Sequence, residues 1–335
     1  MSTSIEKVKA YHSIKCFLDD NQKQIVADML GLEQVDTTTR IKGKDNEIEF
    51  LLMIYLLEWC ESIVGFEEGV SKLTDSVSSD FLVIMKDGTR LVIEVKSTEK
   101  RRIKISRNLI LQKQEFAESV NAKLYFAVKI KSYWMLLDSD YILNQDRKLT
   151  LEEDLSKSMF TDIFGERVFI FPKGLKLTSI YDNDAKKHLN IHNSDYGPLI
   201  RYKLEYNGQK IFTVNSYLHN DYAMIFLYEN LQDFMSIQHQ EIKIDGRKTI
   251  VIEELVDDNS MMYLSSFLMA PIKHLISEAN GVLDYHQFLM NLIDGDKNFI
   301  KRHHILSSFA FLVKRGYDIY ENRKEGIYSF RDMLE

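Results

Sequence analysis

Two short apolar runs joined by a tight polar turn constrain this chain more than any other feature of its sequence. The runs are Phe81–Met85 and Leu91–Val95, and a Lys-Asp-Gly-Thr turn lies between them. Asp-Gly between β-rich runs is a strong short-range signal of a β-hairpin. If Gly88 is left-handed in a three-residue loop, Met85 lies opposite Thr89. The sequence therefore predicts an antiparallel hairpin with a defined register.

This register brings three charged side chains together at the open end of the hairpin. Asp80 lies opposite Glu94, and Lys96 lies two residues further on the same face because side chains repeat every second residue. A slip of one residue would move Asp80 to the other face. The second strand is apolar enough to be buried on both faces, so Glu94 requires a cation. The alternative is ordinary: charged residues at strand ends are common, and Asp with Glu-x-Lys also occurs by chance.

Two carboxylates and a lysine at one place suit the hydrolysis of a phosphodiester bond. Mg²⁺ prefers oxygen ligands, keeps several waters, and is held by one or two carboxylates. Such an ion lowers the pKa of a bound water and offsets charge that develops on the phosphate oxygens. A lysine on the same face can orient that water or share its proton. We therefore expect Mg²⁺, with Mn²⁺ as a substitute, beside Asp80, Glu94 and Lys96.

These residues resemble the motif of the PD-(D/E)xK nuclease superfamily, with Ser79 in the place of the proline. Within it, the chain is similar to archaeal Holliday-junction resolvases over about residues 40–140. The similar segments are Lys42–Glu49, Ile93–Thr98, Glu115–Ala117 and Leu124–Lys129. The resemblance implies an α/β fold with a restriction-endonuclease-like mixed sheet flanked by helices.

The resemblance also implies the roles of individual residues. Asp80 and Glu94 would bind the metal, the backbone carbonyl of Val95 would add a ligand, and Lys96 would activate the attacking water. Glu47 would be a further acidic catalytic residue that also binds the metal, since it lies four residues after Gly43 as in the family. Glu49 competes for that place. Both glutamates also fit the first turn of a helix, where acidic residues favour the macrodipole.

Basic residues crowd the chain after the predicted catalytic strand. Against the single acid Glu99, the stretch contains Lys96, Lys100, Arg101, Arg102, Lys104, Arg107 and Lys113. The net charge of −7 excludes an all-over basic coat but not a local basic groove. Phosphate contacts here would give affinity that depends on salt and not on base sequence. The alternative is a solvated basic loop.

The rest of the chain changes character after about residue 145. We predict a nuclease domain over 1–145, a β-rich region over 146–258 and a winged-helix-like domain over 259–335. Helices are expected near 261–279, 284–293 and 298–314, then strands at 317–320 and 327–330. Lys301 and Arg302 would lie in a recognition helix and Arg323 in the wing, all three against DNA. Alternatively this region is a helical cap, or a winged helix that dimerises or binds protein.

Composition limits the classes of protein that this chain can be. Its 45% hydrophobic residues exclude a disordered chain, and its two cysteines, Cys16 and Cys60, fit a reducing compartment. The longest apolar run, Phe50–Leu57, is far shorter than the about 18–20 residues that span a bilayer. No export signal is visible at the start, so a cytoplasmic location is expected. No phosphate-binding or nucleophile-elbow motif occurs.

The sequence therefore predicts a Mg²⁺-dependent DNA endonuclease, of a restriction or phage-defence type. A nuclease that cleaves branched DNA, Holliday junctions or transposon ends is an alternative. A DNA-binding protein that keeps the fold without catalysis is another, as is a nuclease activated by a ligand or partner at residues 150–260. By resemblance we expect a homodimer, and the C-terminal region is a possible site for a protein partner.

Overall fold

A computed structural model describes most of the chain. The described residues are 7, 10–11, 13–32, 34–66, 77–145, 147–186, 188–189, 191–215, 237–244, 246–257, 260–275, 278–279, 282–283, 289 and 300–334. They form two compact units, unit 1 (1–166 with 272–299) and unit 2 (167–271 with 300–335). Among them, no helix has both the length and the apolar character that a membrane crossing needs.

Unit 1 is built from a mixed β-sheet and the helices that cover it. Its helices are α1 Asp20–Leu30, α2 Gln34–Leu56, α3 Arg107–Ser119, α4 Ser139–Leu143, α5 Leu151–Asp154 and α6 Phe160–Phe164. Its strands up to residue 166 are β1 Cys60–Gly65, β2 Phe81–Met85, β3 Arg90–Thr98, β4 Arg102–Ile103, β5 Lys123–Ile130, β6 Tyr133–Asp138 and β7 Leu149–Thr150. Short 3₁₀ turns lie at Lys15–Phe17 and Leu155–Lys157.

The main sheet of unit 1 has the order β1-β2-β3-β5-β6. Strands β3 and β5 run parallel and the other neighbours run antiparallel. Val92 and Phe126 of the sheet form an apolar cluster with Ile110 and Ala117 of α3. Phe50 of α2 packs against a second set of aromatic side chains. The predicted mixed sheet with flanking helices is therefore confirmed.

Two sequence predictions near this sheet are wrong in their bounds. A polar stretch over 34–46 followed by an apolar run predicts a helix over about 47–64, whereas α2 begins thirteen residues earlier and ends at Leu56. The polar part of α2 is held by tertiary hydrogen bonds, such as the 3.0 Å bond from Asn46 to Ser97, which helical periodicity does not reveal. Glu58, with a φ of 62°, turns the chain out of the helix, and β1 follows as an edge strand.

The apolar spacing of residues 5–31 predicts one helix that stops at Gly31, whereas in the structure this segment is interrupted: residues 10–11 and 13–14 are helical, and α1 is a separate helix. Helix α1 begins after Asp19, whose side chain accepts a hydrogen bond from the Gln22 N–H at 2.8 Å while the Gln22 side chain accepts one from the Asp19 N–H. This capping box starts a new helix at a point where the apolar periodicity shows no break. The predicted stop at Gly31 is confirmed, with a φ of 62°.

Unit 2 is rich in antiparallel strands, as predicted for the region after residue 145. Its strands are β8 Val168–Phe171, β9 Leu175–Asp182, β10 His192–Asn193, β11 Gly197–Tyr206, β12 Gln209–Asn215, β13 Ile237–Ile244, β14 Lys248–Leu255, β15 Ser260–Tyr263, β18 Tyr320–Arg323 and β19 Gly326–Ser329. Short strands β16 Glu278–Ala279 and β17 Val282–Leu283 pair within unit 1. The remaining helices are α7 Leu264–Leu275 and α8 Arg302–Lys314, and a 3₁₀ turn lies at Arg331–Met333.

Two sheets organise unit 2. The larger has the path β10-β11-β9-β14-β13 with β12 beside β11, and the smaller has the order β15-β8-β18-β19. Aromatic rings form the core beside the smaller sheet: Phe309 lies 4.8 Å from Phe169, 5.4 Å from Phe171 and 5.0 Å from Phe267 between ring centroids. The smaller sheet joins β8 to strands near the end of the chain.

A winged-helix domain is not shown by the described residues. Helix α8 begins at Arg302 rather than 298, and the β18–β19 hairpin after it pairs with β8 instead of standing as a separate wing. Most of the helix predicted over 284–293 lies outside the described residues. The predicted domain boundaries at 145 and 258 stay a prediction. The structure divides the chain into two units, and the first boundary between them lies between Glu166 and Arg167.

Phe50 gives a test of the packing in unit 1. Its ring is fully buried, 5.1 Å from Trp134 and 5.8 Å from Phe160. We expect Phe50→Ala to lower the free energy of unfolding by about 3–5 kcal/mol, because the cavity cannot close completely. Phe17→Ala is the control, since that ring is 72% exposed. Equal losses in denaturant unfolding would contradict this account of the core.

Candidate active site

The β2–β3 hairpin has the register that the sequence predicts. The Met85 N–H donates to the Thr89 carbonyl at 2.8 Å, and Gly88 is left-handed with a φ of 87°. Further along, Phe81 pairs with Ile93. Asp80 and Glu94 are the next positions on the two strands, so the hairpin brings their carboxylates to its open end. This expectation is confirmed.

Asp80 lies in an environment that opposes its negative charge. The residue is 3% exposed, and its Oδ2 accepts a hydrogen bond from the Val95 N–H at 2.6 Å. Its Oδ1 is buried without a hydrogen-bond partner. Burial, followed by the charges of Glu94 and Glu47, raises the pKa of Asp80 from 3.8 to about 8, although Lys96 and the Val95 N–H lower it.

Glu94 is buried between two ammonium groups. Its Oε1 lies 2.6 Å from Lys96 Nζ, and its Oε2 lies 2.7 Å from Lys113 Nζ. The sequence predicts that buried Glu94 needs a cation, and the structure places two beside it, Lys96 and Lys113. The two lysines differ in burial, because the Lys96 side chain is 31% exposed and that of Lys113 only 6%.

The sequence assigned Lys113 only to the basic run and missed its place at the site. It lies on the buried face of α3, three residues after Ile110 and four before Ala117. That spacing is the signal that could have found it, because a lysine on the apolar stripe of a helix must meet a buried partner. Besides Glu94, Lys113 contacts the Ser78 carbonyl.

The two candidate glutamates of α2 have different surroundings. Glu47 is paired with Lys44 at 2.7 Å, and its charge is among those that raise the pKa of Asp80. Glu49 forms an ion pair with Lys129, which also donates to Asn46 at 2.8 Å. Glu47 is therefore the acidic side chain of α2 that acts electrostatically on Asp80.

The donor set fits a hard divalent ion. Asp80 offers a buried oxygen with no hydrogen bond, Glu94 offers a second carboxylate, and the Val95 peptide borders Asp80 through its N–H. Within the described part of the chain, no group of three or more His, Cys, Asp and Glu side chains is arranged to hold a metal ion. Two carboxylates and a carbonyl with waters suffice for Mg²⁺.

The predicted DNA-binding residues fall into two groups. In unit 1, an exposed set follows β3 and consists of Lys100, Arg101, Arg102, Lys104 and Arg107, called here the basic segment. In unit 2, Lys301 is exposed and Arg302 is half-buried, just before and at the start of α8. Arg323 is partly engaged, since it lies 2.9 Å from Glu321. The basic segment alone is continuous in sequence with the candidate site.

The raised pKa of Asp80 predicts how the metal-free protein responds to pH. Between about pH 4 and about pH 8 the folded protein holds a proton on Asp80 that the unfolded chain has lost. The free energy of unfolding in EDTA should therefore fall as the pH rises through this interval. Urea titrations at several pH values measure the decline, which Asp80→Asn should reduce because asparagine does not titrate. Parallel curves for the two proteins would contradict the shift.

Comparisons with known proteins find a similarity over the segment that carries the site. Residues 70–166 match the family model of archaeal Holliday junction resolvase (Hjc). Among solved structures, the chain is similar to Hjc, a Holliday junction resolvase from the archaeal hyperthermophile Archaeoglobus fulgidus, with 18% identity and a TM-score of 0.31. That match covers 37% of this chain and 96% of the resolvase. The comparison with curated proteins finds no match. The predicted resemblance is confirmed: the segment that carries Asp80, Glu94 and Lys96 is similar to the archaeal Holliday-junction resolvases of the PD-(D/E)xK superfamily.

Proposed function

We propose that this chain is a divalent-metal-dependent DNA endonuclease with its active site at the open end of the β2–β3 hairpin. The observation that carries the proposal is the buried pair Asp80 and Glu94, with Lys96 2.6 Å from Glu94, in the segment that matches the resolvase family. Burying two carboxylates together costs folding free energy, and a role in binding a cation would explain why the protein has them there.

The residues of the site divide the work of hydrolysis. Asp80, Glu94 and the Val95 carbonyl would hold Mg²⁺ or Mn²⁺, and Glu47 would add negative charge from α2. The ion would supply the Lewis acidity that offsets charge on the phosphate. Lys96 can orient the attacking water, because its ammonium is half-buried beside Glu94 and partly open to solvent.

The choice of DNA substrate follows from the family match. A resolvase-like segment favours branched DNA, so a four-way junction is the first substrate that we propose. The restriction or phage-defence role preferred from the sequence has no specific observation in its favour, and transposon-end cleavage has none either. Two strands must be cut to resolve a junction, which suits a homodimer with one site in each copy.

Cleavage assays test the proposal with a matched pair of variants. With Mg²⁺ or Mn²⁺ we expect cutting of junction DNA, and Lys96→Met should slow single-turnover cleavage by about 10²–10⁴-fold because it removes a positioned proton-transfer group. Lys86→Met is the control, since Lys86 lies exposed at the turn of the same hairpin. A linear duplex and a single strand complete the substrate panel.

The outcomes separate the competing functions. Binding of junction DNA without cutting by either variant or the wild type would support the non-catalytic alternative. Preference for linear duplex over the junction would support the restriction or defence role. Activity that appears only after a ligand or protein is added would point to a regulated nuclease.

The basic segment is proposed to contact DNA phosphates beside the active site. Arg101 and Arg102 are exposed shortly after β3 ends at Thr98. Replacing both with Gln should weaken binding of all duplexes and reduce the slope of log K against log salt, by up to about 0.9 for each phosphate that is no longer neutralised. Lys210→Gln is the control, at an exposed position of β12 in unit 2. Unchanged slopes would assign the segment to solvent.

Helix α8 and the β18–β19 hairpin form a second proposed DNA surface. Exposed Lys301 and the partly exposed Arg323 support it. Unit 2 is equally suited to a protein partner, and removal of the charges on this surface should leave the metal chemistry of unit 1 intact.

A further inference from the structure

Both oxygens of Glu94 are already occupied by positive charge, and this bears on how many metal ions the site accepts. Lys96 donates a hydrogen bond to Oε1 at 2.6 Å, whereas the Lys113 ammonium lies 2.7 Å from Oε2 as an ion pair, and Oε2 accepts no hydrogen bond. A divalent ion that binds Glu94 must therefore replace one ammonium group. We expect the ion to replace the ammonium group of the lysine that is less buried.

Lys113 is more deeply buried than Lys96. Its side chain is 6% exposed, and its ammonium contacts the Ser78 carbonyl as well as Glu94. Ser78 precedes Asp80 by two residues, so Lys113 links the two arms of the hairpin from α3. Lys96 is 31% exposed and lies on the solvent side of the pair.

The position between Asp80 and Glu94, where a metal ion would bind, lies beside the ammonium group of Lys96. Asp80 has a buried oxygen without a hydrogen bond, and Lys96 is the ammonium whose charge lowers the pKa of Asp80. An ion between Asp80 and Glu94 would thus displace the Lys96 ammonium and leave Lys113 in place. Glu94 would then offer Oε1 alone.

We propose that Lys113 is a positioning residue that acts as a built-in cation on Oε2 of Glu94 and limits the site to one divalent ion per chain. This inference rests on the proposed metal site. The Lys113 ammonium neutralises Oε2 of Glu94, the oxygen that a second ion would need. It also fixes Glu94 relative to the Ser78 carbonyl. The charge also repels the ion that does bind, so it weakens metal affinity.

The neutral variant Lys113→Met tests the proposal through metal binding without DNA. Wild type should bind one Mn²⁺ per chain by calorimetry and electron paramagnetic resonance. The variant should bind two Mn²⁺ per chain, and the first should bind at least about tenfold more tightly than in wild type, which corresponds to about 1.4 kcal/mol. A variant that still binds a single Mn²⁺ would overturn the limit on stoichiometry. The rise in melting temperature caused by Mn²⁺ should also be larger, because the ion then compensates a carboxylate whose ammonium partner has been removed.

A control removes the cationic partner of another buried carboxylate, away from the site. Arg147 pairs with the fully buried Asp154 at 2.9 Å in unit 1. Arg147→Met should lower the melting temperature while leaving Mn²⁺ stoichiometry and affinity unchanged. A purely structural role for Lys113 would give this same pattern, or weaker Mn²⁺ binding, in Lys113→Met, and either result would overturn the proposal.

Nuclear magnetic resonance of the wild type keeps the test independent of whether Lys113→Met folds. The ¹⁵N signal of the Lys113 ammonium should be protected from exchange and should persist when Mg²⁺ is added. Loss of this signal on Mg²⁺ binding would show that the metal displaces Lys113 and would overturn the inference. Absence of any Mg²⁺ or Mn²⁺ binding by wild type would instead reject the proposed function.

Discussion

Compensation of buried carboxylate charge is the constraint on which the candidate site depends. Asp80 and Glu94 are 3% and 2% exposed, and isolated carboxylates cannot remain ionised at such burial without partners. The two residues meet the constraint in different ways. Glu94 lies between the ammonium groups of Lys96 and Lys113, whereas a raised pKa lets Asp80 keep its proton near neutral pH in the metal-free protein. In the proposed metal site the same features would make the site responsive to a divalent ion, since cation binding would compete with a proton at Asp80 and with an ammonium group at Glu94.

The hairpin and the helices that cover it supply this arrangement from separate parts of the chain. Register places Asp80 opposite Glu94, and alternation places Lys96 on the same face. Lys113 arrives from α3, which packs on the sheet through Ile110 and Ala117. The acidic side chain of Glu47 comes from α2. The site therefore requires the packed sheet and cannot form in the hairpin alone.

How much of this was predictable follows from the range of each interaction. The hairpin register depends on a three-residue loop, so the local sequence determines it, and the Asn207-Gly208 turn likewise has the two positive φ values, 48° and 77°, that its residues favour. Lys113 was missed because its partner is nineteen residues away and joins it only through helix–sheet packing. The start of α2 was missed because polar residues such as Asn46 are held by contacts with β3 and β5.

The role of unit 2 cannot be inferred from the candidate site, because the residues of that site all lie in unit 1. Phosphate contacts from the basic segment would give affinity but no choice among base sequences. The carboxylates and lysines around the hairpin would hydrolyse any phosphodiester that reaches them. In the proposed nuclease, selection of a target would therefore come from the shape of the DNA, from pairing of two active sites, or from unit 2. The match to the resolvase family model ends at residue 166, and unit 2 begins at Arg167, so whatever unit 2 contributes is additional to the matched nuclease segment.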